Sequence, residues 1–455
     1  MEAAKNRLPE DFLKRICDDI CRYSYIDPEN FNKYDVKRGL RNKDGTGVLA
    51  GMTNICNVHG YLMNEGERMP VHGELTYRGI NIKDIIEGCW AEDRFGFEET
   101  VFLLLFGHLP TQEQLEEFCT VIAACRELPE RFTEDTIIPS PSRDIMNKLA
   151  RSVLTLYSYD DNPDDVTLEN VVRQSIELIA RLPIISVYAY QVKKNHYDRK
   201  SMVIHFPQEK LSMAENILYT LRADRRYTRE EAMLLDLCLM VHAEHGGGNN
   251  STFATRVLTS SGTDTYSAIA AAIGSLKGPR HGGANRKVLQ MFEFIKRDVK
   301  DWKDEDEIAD YLCKLVRREA GDKSGLIYGM GHAVYTLSDP RAVMLKQSAA
   351  KLAAKKNMLE EFELMTTVER LAPAVFAKYK NDTKIISANV DMYSGFVYQM
   401  LDIPPELYTP LFAIARISGW CAHRIEELIY GNRIIRPAYK SVTGHLPYTP
   451  LKERK

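Results

Sequence analysis

The sequence predicts an all-α fold, and three observations carry that prediction. Apolar residues recur at helical spacing through most of the chain. Alternation of the strand type is confined to the neighbourhood of GELTYRGINI (73–82), which predicts a short hairpin. No strand–helix–strand rhythm runs through the 455 residues, so a dinucleotide-type parallel sheet is not expected. A chain of this length has room for about two to three domains.

The elements follow in order. FEETVFLLLFGHLPTQEQLEEFCTVIAACREL reads as two helices broken between Gly107 and Pro110, with Thr111 as the N-cap of the second. EEAMLLDLCLMVHAEH, TYSAIAAAIGSL, DEDEIADYLCKLVRREAG and ELYTPLFAIARISGWCAHRIEELIYG carry further helical periodicity. KDWKDEDE (300–307) reads as a solvated helix entrance, started by Asp304 or Asp306. Basic RADRRYTRE (222–230) reads as surface.

Composition excludes several classes. Apolar residues make up 44% and charged residues 27%, as in ordinary globular proteins. The net charge of −3 gives no electrostatic reason to expect nucleic acid or an anionic membrane as partner. The strongest apolar run, VFLLLF ending at Phe106, is far shorter than the ~20 residues that span a bilayer. The N-terminal stretch mixes acids and bases without an apolar signal core, so a cytoplasmic protein is expected. The nine cysteines are scattered and contain no CxxC. Buried or half-buried free thiols fit them better than disulfides or a zinc site on Cys17 and Cys21.

Four segments of the second half carry unusual chemistry. In VHAEHGGGNNS, His242 and His245 close an apolar helix before Gly246, Gly247 and Gly248. The order is not HExxH and no Lys follows the glycines, so neither the usual zinc motif nor a phosphate loop is met. Asn249, Asn250 and Ser251 add neutral hydrogen-bonding groups. In KGPRHGGANRKVLQMF, His281 stands just before a helix start near Gly282 to Ala284. The positive helix end favours a neutral imidazole that can donate to a developing oxyanion. A capping role in a turn is the structural alternative.

In YGMGHAVYTLSDPRAVMLK, His332 follows Gly329 and Gly331, and Arg341 opens a Pro-anchored helix suited to holding a carboxylate. In ISANVDMYSGFVYQML, Asp391 sits among Ala, Val, Met and Tyr, where desolvation would make it a stronger base; a helix N-cap is the alternative. A base, neutral donors and an anion clamp together suit proton abstraction beside a carbonyl.

GPRHGGAN, GMGHAVYxxxDPR and NVDMYSG resemble the active-site segments of the citrate synthase family, and HAEHGGGNNSTF resembles its oxaloacetate-binding helix end. GELTYRGINIKDI, FEETVFLLLFGHLPT, RISGWCAHRIE and RIIRPAY extend the likeness from about residue 70 to 440, in family order. The resemblance implies a two-domain helical fold, with residues 1–282 and 403–455 forming a large domain around an inserted small one, 283–402. It implies condensation of acetyl-CoA with oxaloacetate, as in the tricarboxylic acid cycle, with no cofactor and no metal. Asp391 would be the base, His281 the enol stabiliser and His332 the donor to the oxaloacetate carbonyl.

By the same resemblance His245, Arg341 and Arg416 would bind oxaloacetate carboxylates, and Arg436 would reach across a homodimer. Thr336 stands where the family often has a basic residue, and the first ~60 residues match no recognisable module. Three other readings stay open: 2-methylcitrate synthesis from propionyl-CoA, a metal-dependent hydrolase on His242, His245 and Glu244, and a helical scaffold without catalysis.

Overall fold

The computed structural model describes residues 10–42, 44–65, 67–380, 385–431 and 433–454. The chain divides into two compact units: Met1–Gly51 with Ile435–Lys455, and Met52–Ile434. In the first, the helix Glu10–Tyr23 turns Phe12, Ile16 and Ile20 outward. Cys17 and Cys21 share that helix and are exposed, not buried as expected; the other seven cysteines are buried or half-buried, and none is bonded in a disulfide. Elsewhere in this unit Arg38 lies over the Phe31 ring at 4.6 Å and Lys440 over Tyr34 at 5.5 Å.

The second unit is mostly helical, with one small antiparallel sheet of order β1 (Cys56–Asn64), β2 (Glu67–Tyr77) and β3 (Ile80–Asn81). The sheet is larger than the sequence suggests. β1 reads CNVHGYLMN, whose polar residues break the apolar alternation, and its register with β2 shifts between His59 and Tyr61. The sheet is a local hairpin, from Asn64 opposite Glu67 to Cys56 opposite Tyr77, held by cross-strand pairing rather than marked by an apolar alternation in β1.

Caps set the helix starts as predicted. Thr111 forms a capping box with Gln114 ahead of Gln112–Ala124, after Phe97–Phe106 ends at Gly107. Asp304 caps Glu305–Val316. Thr228 and Glu231 box the start of Arg229–His242, a helix buried almost all round. The C-terminal helix Tyr408–Tyr430 is the hub of the core. It is buried from Tyr408 to Glu426, Arg416 and Arg424 included. Against it pack Phe97–Phe106, Leu168–Asp198, Arg229–His242, Asn250–Ser260 and Thr265–Lys277. Ala284–Asp298 and Pro340–Lys355 both pack on Asp391–Met400, and Glu305–Val316 packs on Leu359–Lys380. Pro340–Lys355 and Asp391–Met400 also touch Arg229–His242.

Among the described residues no helix is long and apolar enough to cross a membrane. A cavity of about 760 Å³ opens where the chain passes from Thr265–Lys277 to Ala284–Asp298 and returns from Asp391–Met400 to Tyr408–Tyr430. Lys277, Gly283, Arg286 and Gln399 line it, and none of the predicted site residues does.

Candidate active site

The helix Arg229–His242 stops at the first histidine of HAEH, so His245 lies in the bend beyond it rather than on the helix. His245 is buried, and among the described residues its Nε2 has no hydrogen-bond partner. Its ring meets His332 edge-on at 5.0 Å between centroids. His332 stacks on Tyr335 at 4.6 Å, and the Arg341 guanidinium lies 5.7 Å from the Tyr335 ring. Burial, then the charge of Arg341, holds the His245 pKa well below the ordinary value, so the imidazole is neutral.

His332 hangs on a segment that needs glycine. Gly329 and Gly331 have φ of +83° and +90°, and a Cβ on Gly329 would meet Met392 Sδ at 2.8 Å. Gly331 N–H donates to Ser387 O and Asn389 N–H to Gly329 O, each at 2.8 Å. The His332 segment is thus laced to the strand-like stretch that leads into Asp391. His332 Nδ1 accepts the backbone N–H groups of Val334 and Tyr335, both at 3.1 Å. A neutral ring in that setting carries its proton on Nε2, which makes Nε2 a donor.

Four residues further on, Thr336 is buried and donates to Gly60 O in β1 at 2.9 Å. The position where the resemblance suggests a basic residue therefore fastens the His332 loop to the hairpin. Gly60 and Gly73 permit the approach, since a Cβ on Gly73 would sit 2.3 Å from Ser338 O.

Arg341 is buried, at the start of the helix capped by Asp339. Its Nε and Nη2 meet the two Asp339 oxygens at 3.0 and 2.7 Å, a bidentate pair. Asp391 is the first residue of Asp391–Met400, and Val390 is the N-cap, so the capping alternative does not hold. Among the described residues no donor reaches its half-buried carboxylate. Burial raises its pKa to about 6, against the opposing pull of Arg341 and Arg416.

His281 precedes the helix Ala284–Asp298, whose N-cap is Gly283. Its Nε2 lies 3.0 Å from Ser251 Oγ, which donates to Asn249 Oδ1 at 2.9 Å and accepts the Trp420 indole N–H at 3.1 Å. Burial lowers the His281 pKa to about 4, and Arg416 adds to the effect; desolvation outweighs the helix end that the sequence suggested as cause.

Arg416 is fully buried in the hub helix. Its Nε donates to His242 O at 2.7 Å and its guanidinium lies over the Phe412 ring at 4.7 Å, while among the described residues Nη1 and Nη2 have no hydrogen-bond partner. A buried guanidinium with two idle nitrogens is costly unless an anion arrives to meet them.

The structure thus gathers His245, His281, His332, Arg341, Asp391 and Arg416 in the second unit. Arg436 is exposed in the first unit. Asp339, Tyr335 and Trp420 were not foreseen as neighbours of the site. Asp339 could have been, because an acid just before Pro-Arg both caps and pairs. The metal-hydrolase alternative finds no common focus here. His242 Nδ1 is tied to Cys238 O at 2.7 Å and Glu244 to His423 at 3.1 Å. Among the described residues no group of three or more His, Cys, Asp or Glu is placed to hold a metal ion.

Comparison with known proteins gives one consistent result. Residues 43–438 match the family model described as citrate synthase, C-terminal domain. The chain is 33% identical over 417 residues to a citrate synthase of Synechocystis, covering 90% of this chain and 94% of that one. It is 31% identical over 425 residues to 2-methylcitrate synthase 1 of Corynebacterium glutamicum, covering 92% and 98%. Among solved structures, a citrate synthase from Thermoplasma acidophilum in ternary complex with carboxymethyl coenzyme A and oxaloacetate superposes with a TM-score of 0.75. Its identity is 27%, with coverage of 92% of this chain and 99% of that chain.

Proposed function

The chain belongs to the citrate synthase family, and from that premise we propose that it condenses acetyl-CoA with oxaloacetate and hydrolyses the resulting citryl-CoA to citrate and CoA. The observation that carries this reading is the pair of idle nitrogens on buried Arg416, close to the neutral rings of His245 and His281. A dicarboxylate keto acid has the charge and the carbonyl to satisfy such a set.

In this reading Arg416 grips one oxaloacetate carboxylate with Nη1 and Nη2, and His245 supplies a further contact through Nε2. Arg341 offers Nη1, its other nitrogens being held by Asp339. His332 donates from Nε2 to the keto oxygen, and that oxygen takes up charge as the carbon–carbon bond forms. Asp391 removes a proton from the acetyl-CoA methyl; a base with a pKa near 6 is better matched to that weak acid than a solvated aspartate. His281 steadies the enol oxygen. Ser251 has one proton, which it gives to Asn249 Oδ1; turned instead to His281 Nε2, it would leave the ring proton on Nδ1, facing away from the serine. No cofactor is needed for these steps.

The same reading has residues 283–402 close on the substrate as a small domain, which excludes water until citryl-CoA exists. It includes a cytoplasmic homodimer in which Arg436 serves the neighbouring subunit, and a place in the tricarboxylic acid cycle. The second reading, propionyl-CoA as the acyl donor, is favoured by the likeness to 2-methylcitrate synthase at nearly the same identity. One methylene in a pocket changes selectivity by only about 1–3 kcal/mol, so a few wall residues decide between the donors.

Thiol release from acetyl-CoA and from propionyl-CoA, each with and without oxaloacetate, tests both. Oxaloacetate-dependent release that is faster with acetyl-CoA is expected. Faster release with propionyl-CoA transfers the assignment to 2-methylcitrate, and no release from a folded protein removes the catalytic roles given to Asp391, His281 and His332.

A further inference from the structure

Glu244, between the two histidines of HAEH, is fully buried and has no part in the steps above. Its carboxylate lies against the hub helix at Gly419, where a Cβ would stand 2.0 Å from Oε2. Helical spacing puts Arg416 about one turn before Gly419 and His423 about one turn after it, on the same face. Glu244 is therefore placed between a cation and an imidazole.

The imidazole end is anchored from outside. Arg256 directs Nε to His423 Nδ1 at 3.0 Å, pairs through Nη1 with Glu427 at 2.7 Å, and pairs through Nη2 with Glu426. A guanidinium only donates, so Nδ1 is an acceptor and the His423 proton sits on Nε2. That proton points at Glu244 Oε1, 3.1 Å away. Burial alone would push the Glu244 carboxyl pKa up, but His423 and Arg416 pull it further down, so the group is anionic.

At the cation end no hydrogen bond or ion pair joins Glu244 to Arg416. Among the described residues Glu244 Oε2 has no hydrogen-bond partner, and neither do Arg416 Nη1 and Nη2. Opposite charges in a buried site attract strongly, and the ordinary outcome is a salt bridge. Here that bridge is withheld: Oε1 is tied back to His423, and the carboxylate is seated in the notch left by Gly419.

We propose that the Arg256–His423–Glu244 relay positions a counter-charge near Arg416 while keeping it off Nη1 and Nη2, so that the guanidinium stays charged yet open to an oxaloacetate carboxylate. The proposal rests on the reading of Arg416 as a carboxylate ligand. Glu244 is in this view a positioning residue. Released from His423, it would close on Arg416 and compete with the substrate.

The test is a double-mutant cycle on the full chain, read by oxaloacetate KM and by calorimetric binding of oxaloacetate. His423→Leu is expected to raise KM and Kd about tenfold or more, with kcat at saturating oxaloacetate within about twofold of the parent. Adding Glu244→Gln to His423→Leu is expected to recover most of that loss, because the competing carboxylate is gone. A purely structural defect would deepen with the second substitution. His423→Gln, which can both donate and accept, is expected to bind oxaloacetate better than His423→Leu.

Should His423→Leu not fold, Arg256→Met cuts the outer anchor at a less buried position. Its KM is expected to rise in the same direction and to be relieved by Glu244→Gln. An unchanged KM in the single variants, or no relief in the doubles, overturns the relay. Arg416→Gln separates the two claims. Unimpaired oxaloacetate binding in that variant removes the premise, whereas lost binding there with no effect at His423 and Arg256 removes the relay alone.

Discussion

Asp339 Oδ2 accepts the backbone N–H of Val390 at 3.2 Å, while the same oxygen holds Arg341 Nη2 at 2.7 Å. One buried carboxylate thus connects Arg341 to the residue immediately before Asp391. The proposed clamp and the proposed base share a common support, although Arg341 and Asp391 stand 50 positions apart in the sequence.

Asp339→Asn follows from that connection. The amide cannot accept at both positions, so Arg341 loses its bidentate partner and Val390 competes for the remaining oxygen. A loss of about 3 kcal/mol in stability is expected, with kcat/KM for oxaloacetate lowered about 100-fold. Urea unfolding and steady-state kinetics check the two parts. Retention of both within about twofold would show that the shared carboxylate is dispensable.

The raised pKa of Asp391 gives a pH dependence with a definite sign. The base works ionised, so kcat/KM for acetyl-CoA should climb about tenfold per pH unit below pH 6 and level off above it. His281, at about 4, stays neutral across that window. Stability runs the other way. A carboxyl whose folded pKa exceeds its unfolded one favours the folded state least once both forms are ionised. Asp391→Asn should therefore gain about 1–2 kcal/mol at pH 8 relative to the parent, and nothing at pH 4. Urea titrations at the two pH values decide it, and an equal effect at both would remove the desolvation account.

Two glycines in helices should respond oppositely to alanine. Gly419→Ala drives a Cβ to 2.0 Å from Glu244 Oε2 and 2.6 Å from Ala243 O, and about 3 kcal/mol of stability should be lost. Gly274, in Thr265–Lys277, has no atom within 4 Å of a built Cβ, and Gly274→Ala should gain about 0.5–1 kcal/mol. Thermal and urea unfolding of the two variants give the comparison directly. A neutral Gly419→Ala would mean that the carboxylate is not seated where it is described.

What the sequence made legible was local. Thr111, Asp304 and the Asp-Pro-Arg start of Pro340–Lys355 act within one helical turn, so their signals survive without tertiary information. The helical character of the chain and the grouping of His245, His281, His332, Arg341, Asp391 and Arg416 were likewise readable, the grouping only through family resemblance. β1 was not, because its apolar pattern is broken and Gly60 is explained by the approach of Val334 and Tyr335, 274 and 275 positions away. The contact of Arg256 with His423 spans 167 positions and has no local signature. Thr336 was visible as a departure, but its inward hydrogen bond to Gly60 needed the fold.

The bond from Trp420 to Ser251 places an indole within reach of the proposed site. The chain has three tryptophans; Trp90 is exposed and Trp302 half-buried, whereas Trp420 is sealed within the hub helix, two hydrogen bonds from His281. With His281 in its proposed role, ligand binding there should disturb the acceptor of this buried indole, and a shift in its emission on adding oxaloacetate would report occupancy with no dye and no turnover.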